Sequence, residues 1–157
     1  MISLVSESAQ TTADLGCKIG THLSTLTNGF AIALTGDLGT GKTCFVQGLA
    51  QGLMVDQGYY ITSPTFNIIN EYPARSKRLV HMDLYRLSDA EELEYLGIED
   101  LLGEDAVLAV EWPVFLEETG FKFDLELRFE FDKDFNRVIS IFPSGQHGTN
   151  LLSSLIL

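Results

Sequence analysis

The chain has 157 residues, 45% of them hydrophobic and 20% charged, which is enough to bury a core within one domain. No run of eighteen apolar residues is present, which argues against a membrane-spanning helix, and residues 1–10 lack the basic start and apolar run of a signal peptide. The formal charge is −12; 17 of the 22 acidic residues but only 4 of the 10 basic ones lie between Asp83 and Asp134, a surface that repels phosphate backbones and speaks against direct, tight nucleic-acid binding.

That acidic stretch reads either as a solubility device or as a docking surface for a basic partner. Cys17 and Cys44 show neither metal-ligand spacing nor a C-x-x-C pair. No metal cluster is expected, and a reducing cytoplasm fits best.

In chain order, Leu15, Ile19, Leu23 and Leu26 recur at helical spacing and predict an amphipathic helix over about 11–26. Residues 30–34 form a short, uniformly apolar run, as suits a strand buried on both faces. It ends at a glycine-rich loop, and Phe45, Leu49 and Leu53 then resume helical spacing from Lys42 onward. Strands are expected near 59–62, 67–72 and 79–84. Ser88 with Glu91 reads as a capping box opening a short helix to about Tyr95, followed by a turn at 98–102. Residues 106–110 are a second core-strand candidate. Residues 124–132 alternate polar and apolar and can pair with 137–142 as a hairpin with one wet face. The apolar end, 151–157, is too short to span a bilayer and reads as a tail that packs on the domain or on a partner. The expected fold is an α/β, P-loop NTPase-type three-layer domain over residues 1–157. Its central sheet is largely parallel with antiparallel additions, and 144–157 form a C-terminal tail.

The loop Gly36-Asp37-Leu38-Gly39-Thr40-Gly41-Lys42-Thr43 has the spacing of a phosphate cradle. Its glycines let the main chain approach an anion, and its amides form a nest at the positive end of the following helix. Lys42 can bridge β- and γ-phosphates, and the Thr43 hydroxyl can ligate Mg²⁺. Hydrolysis needs, in addition, a carboxylate near the metal and a group that orients water. Asp83 and Glu111 each end a predicted strand, where ligands of open α/β sheets sit, or else are ordinary strand-end charges. Glu111 has the more Walker-B-like setting, after five apolar residues. Thr65, in Ser63-Pro64-Thr65-Phe66, is either a switch hydroxyl or part of a plain turn. Trp112, the only tryptophan, covers the nucleotide edge or caps the core rim. Arg86 reads as a phosphate contact or a salt-bridge partner, His81 as a half-buried strand residue in preference to a proton shuttle, and Cys44 as packing in preference to a thiolate favoured by the helix N-terminus.

Together these segments resemble the TsaE family of small bacterial ATPases, over about 11–142. The resemblance covers the start of the first helix at 11–16, LTGDLGTGKT at 34–43 and FVQGLAQGL at 45–53. It continues with SPTF at 63–66, NEY at 70–72, HMDLYRL at 81–87, EELEYLG at 91–97 and VEWP at 110–113. It implies an ATP-binding, ATP-hydrolysing, Mg²⁺-dependent subunit that acts with TsaB and TsaD in making threonylcarbamoyladenosine beside the tRNA anticodon. Transferase chemistry would belong to TsaD, and tRNA would be held mainly by the partners. Carried over by motif, Asp37, Leu38, Gly39, Thr40, Gly41, Lys42 and Thr43 hold the nucleotide with Trp112 beside it. Thr65 is switch-like, Asp83 a metal-side carboxylate, and Glu111 a hydrolytic or metal-side one. The chain departs from the family pattern at Thr40, Cys44 and Val114, and 144–157 match no family motif. Three other readings stay open at this stage: a small-molecule P-loop kinase, a GTPase switch, and a nucleotide-gated scaffold in which hydrolysis is incidental. No arginine-bearing lid or N-K-x-D guanine reader supports the first two.

Overall fold

A computed structural model describes residues 1–156. Seven strands form one sheet, in the order β1 (Ile2–Ser6), β7 (Arg137–Pro143), β6 (Leu125–Phe131), β2 (Phe30–Thr35), β5 (Ala106–Glu111), β4 (Arg78–Asp83), β3 (Ile69–Pro73). The central run β6-β2-β5-β4 is parallel, while β3, β7 and β1 are added antiparallel at the two sides. The expected α/β architecture with a largely parallel centre and antiparallel additions is what the chain adopts.

The helices α1 (Ala9–Leu23), α2 (Lys42–Gly52) and α5 (Gly145–Ile156) cover one face of the sheet. Ile19, Leu23, Phe45, Leu49 and Leu151 pack there against Ile32, Leu34 and Leu127. The other face carries a 3₁₀ helix (Ala90–Leu96), α3 (Ile98–Leu101) and α4 (Val114–Glu118). Leu93, Ile98 and Leu116 close over Val80, Met82, Leu108 and Val110. β2 and β5 are thus clothed on both sides, which is why their sequences are apolar without alternation.

On the first face, Gly16 and Gly20 of α1 meet Gly48 and Gly52 of α2 so closely that a Cβ at any of the four would run into the other helix's backbone. No side chain separates the two helices at this contact. α1 therefore fixes the position of α2, the helix that leaves the glycine-rich loop.

Several local expectations need correction. Residues 59–62 form no strand: the Ile61 carbonyl accepts from the Gln47 side chain at 3.0 Å, and Pro64 supplies no N–H for a ladder. The capping box lies one residue later than Ser88 and Glu91. The Asp89 carboxylate accepts from the Glu92 amide at 3.2 Å, and the Glu92 carboxylate accepts from the Ser88 amide at 2.8 Å. Aspartate caps as well as serine, and Asp89 also has a glutamate three residues on. The sequence reading missed β1 and α4. The stretch read as a tail is the helix α5, seated on the core through Leu151 and Leu152; Leu157 lies outside the described residues. Among the described residues, no helix is long and apolar enough to cross a membrane.

Gly48→Ala tests the α1–α2 contact. Alanine favours an isolated helix by about 0.5–1 kcal/mol, whereas forcing a Cβ against the Ala13 carbonyl costs about 1–3 kcal/mol or more. Net destabilisation is expected in urea unfolding, and a stabilised protein would show that the helices part freely.

Candidate nucleotide site

The parallel ladders bring three strand ends level. Leu34 of β2 stands opposite Glu111 of β5, and Glu111 stands opposite Asp83 of β4. One residue beyond β2 the chain enters the glycine-rich loop, and Gly41, at φ 105°, caps α2. Only glycine takes that backbone angle without strain. Lys42 and Thr43, in the first turn of α2, therefore face the two carboxylates.

Lys42 is 4% exposed. Its ammonium donates to the carbonyls of Gly36 at 2.6 Å and Asp37 at 2.9 Å, and lies 4.7 Å from the centre of the Trp112 ring. Burial holds its pKa below that of an ordinary lysine, while Glu111, Asp83 and Asp37 oppose the shift. Trp112 has φ 57°, a left-handed conformation that costs a bulky residue about 1–3 kcal/mol. This sharp turn after β5 swings the indole over the lysine, against Tyr85 at 5.0 Å between ring centres. The indole N–H is buried and unpartnered.

The carboxylates are braced differently. Glu111 is 4% exposed, and its Oε1 accepts from the Thr43 hydroxyl at 3.0 Å. The same Oε1 lies 2.9 Å from Nε2 of His81. Asp83 accepts from the Ser63 hydroxyl and, at 3.2 Å, from Thr65, both on Oδ2; its Oδ1 accepts from the Tyr85 amide at 3.1 Å. Thr65 thus does reach the strand-end carboxylate. The segment carrying it ends at Ile68, whose φ of 66° is strained for a β-branched residue.

Of the residues singled out from sequence, Lys42, Thr43, Thr65, Asp83, Glu111 and Trp112 converge here. Backbone from Asp37, Leu38, Gly39, Thr40 and Gly41 forms the adjoining loop. Leu38 projects outward, 65% exposed, so it contributes main chain and not side chain. Arg86 stacks on Phe66 at 4.3 Å and makes no ion pair among the described residues. His81 is fully buried, not half-buried. Cys44 packs as a thiol: it donates to the Ala9 carbonyl at 3.0 Å, and burial raises its pKa. A helix N-terminus alone does not make it reactive.

The sequence reading missed Arg137, and it assigned Ser63 and His81 no part in holding the carboxylates. Ser63 shares Asp83 with Thr65, and its place in the SPTF motif was the available signal. His81 holds Glu111. Arg137, at the start of β7, lies against the loop: a Cβ on Gly41 would come 2.8 Å from its Nε. That Nε is buried without a partner, while Nη1 donates to Thr12 at 3.1 Å. Nearly a hundred residues separate Arg137 from the loop, and no local pattern marks it.

The family profile described as threonylcarbamoyl adenosine biosynthesis protein TsaE matches residues 6–139. The TsaE protein of Treponema pallidum is 36% identical over 137 residues, covering 87% of this chain and 97% of that protein. That of Borreliella burgdorferi is 45% identical over 86 residues, covering 54% of this chain and 61% of that protein. The crystal structure of Bacillus subtilis YdiB superposes with a TM-score of 0.73 at 28% identity, covering 99% of this chain and 93% of that one. With a profile match spanning most of its length and a relative aligned almost end to end, the chain belongs to the TsaE family.

Proposed function

We propose that this chain binds and hydrolyses Mg-ATP as a subunit that works with TsaB and TsaD in threonylcarbamoyladenosine modification of tRNA in the cytoplasm. The observation that carries the reading is the Thr43–Glu111 contact of 3.0 Å beside a buried Lys42. It joins a phosphate-loop hydroxyl to a strand-end carboxylate, the pairing a magnesium nucleotide requires.

The donor set fits a polyphosphate with a hard cation. Lys42 and the amides of the loop supply positive charge, and Trp112 and Arg137 each present a buried N–H with no acceptor among the described residues. Thr43, Glu111 and Asp83 are oxygen ligands of the kind magnesium takes. When bound, Mg-ATP supplies the phosphoanhydride bond, and the metal supplies charge that polarises the terminal phosphate.

The protein's own part is positioning. Lys42 neutralises phosphate charge, and the anion in turn favours the protonated lysine that burial disfavours. Glu111, closest to Thr43, serves as metal-side carboxylate and orients water through its free Oε2. Asp83 stands one strand further out and ties the segment of Ser63 and Thr65 to the site. That segment acts as the switch: its hydroxyls are held by one carboxylate, and a phosphate oxygen competes for them. Thr40 closes the loop internally, its hydroxyl donating to the Asp37 carbonyl at 2.7 Å. The acidic stretch from Asp83 to Asp134 suits contact with protein partners, which then hold the tRNA.

Three outcomes test this. ATP hydrolysis should rise when TsaB and TsaD are added, and Lys42→Ala should lose both the rise and nucleotide binding. A clear ATP-binding protein that neither associates with the pair nor responds to it would overturn the subunit reading. Glu111→Gln should bind ATP within about threefold of wild type yet turn over about a hundredfold more slowly, read by equilibrium binding and single-turnover kinetics. Loss of binding with intact turnover at saturation would refute the role of Glu111. Asp83→Asn keeps an acceptor for Ser63 and Thr65 but loses charge, so magnesium dependence should weaken more than ATP affinity, measured by metal titration of binding.

A further inference from the structure

His81 lies on β4 two residues before Asp83, so the two side chains share one face of the sheet. Its backbone pairs with Ala109, two residues before Glu111 on β5, which sets the imidazole diagonally behind the Glu111 carboxylate. The ring is wholly buried, with Leu79 of β4 and Ala109 of β5, also fully buried, as its neighbours on that face. An apolar side chain would suit such a place. Instead there is a histidine whose Nε2 is 2.9 Å from Glu111 Oε1 and whose Nδ1 has no partner among the described residues. A carboxylate oxygen accepts, so the contact requires a proton on Nε2. The same Oε1 also accepts from Thr43. Two donors from opposite sides, one on α2 and one on β4, therefore fix one oxygen of Glu111 and leave Oε2 as the oxygen free for chemistry.

We propose that His81 is the positioning residue of Glu111: its Nε2–H clamps Oε1, which aims Oε2 and sets the carboxylate's orientation for the chemical step. This rests on the ATPase reading above. Among the described residues His81 makes no hydrogen bond to the glycine-rich loop or to Thr43, and it acts through Glu111. The unpartnered Nδ1 sets it apart from an ordinary buried histidine, which would be bonded at both nitrogens.

His81→Gln and His81→Met give the cleanest comparison, because the two side chains have nearly the same length and volume but only the amide can donate. Both proteins are first checked for native thermal unfolding. Relative to wild type, His81→Met should lose about 10–100-fold in kcat with ATP affinity unchanged, and His81→Gln should recover most of that loss. Equal kcat in the two variants, or a loss confined to ATP affinity, overturns the inference while leaving the ATPase reading in place. Absence of turnover in the wild type, with or without partners, overturns both. A measurement free of variants is the ¹⁵N spectrum of the wild-type imidazole. It should show a protonated Nε2, and a bare Nε2 rules the clamp out.

Discussion

In the parallel ladders β2-β5-β4, Leu34, Glu111 and Asp83 stand at one level, and every functional contact of the loop is built on that alignment. A strand clothed on both faces cannot be pinned by alternation of polar and apolar residues, because both orientations are apolar. For β5 the polar end does the pinning. A slip of one residue would turn Glu111 to the face of Leu108 and Val110, away from Thr43 and His81, leaving a carboxylate buried without donors. The residues that perform the chemistry are thus also those that specify the strand's register.

The second support is the glycine contact between α1 and α2. Helices separated by side chains can shift as rotamers change, but helices touching through backbone have little such freedom. α2 carries Lys42 and Thr43 at its start, and α1 is tied to the same region through the Cys44–Ala9 and Arg137–Thr12 hydrogen bonds. The loop is held between a sheet on one side and an interlocked helix pair on the other.

Much of this was legible in the residues. The apolar runs of β2 and β5, the loop spacing and the strand-end carboxylates are local patterns, each with a direct physical reading. What stayed hidden depends on pairing across the chain. β1 is half-exposed and exists because β7 offers it an edge. Tyr59 to Thr62 have the composition of a strand, but the Ile61 carbonyl accepts from Gln47 and the Tyr59 amide donates to Asp56, and composition does not reveal that. The Ser88 cap and the Asp89 cap differ by a single residue, below the resolution of a propensity argument. Arg137 reaches the loop only through the hairpin β6–β7, and His81 gains its meaning only from the neighbouring strand.

The stretch 53–68, between α2 and β3, contains no helix or strand, and near the site it is fastened to Asp83, through Ser63 and Thr65 on one carboxylate oxygen and through the Ile68 carbonyl, which accepts from the Asp83 amide at 2.9 Å. Tyr60 and Phe66 stand 87% and 82% exposed within it, whereas Leu53 at its start is fully buried and Val55, Ile61 and Ile68 pack against the core. Opening free energy is set by the ladder bonds and apolar burial that must be undone, and this stretch has no ladder bonds of its own. β2 and β5, by contrast, come apart only when the whole sheet does. The site therefore straddles a boundary in local stability. Glu111 belongs to the ladder, while Asp83 lends one of its oxygens to a stretch that has none.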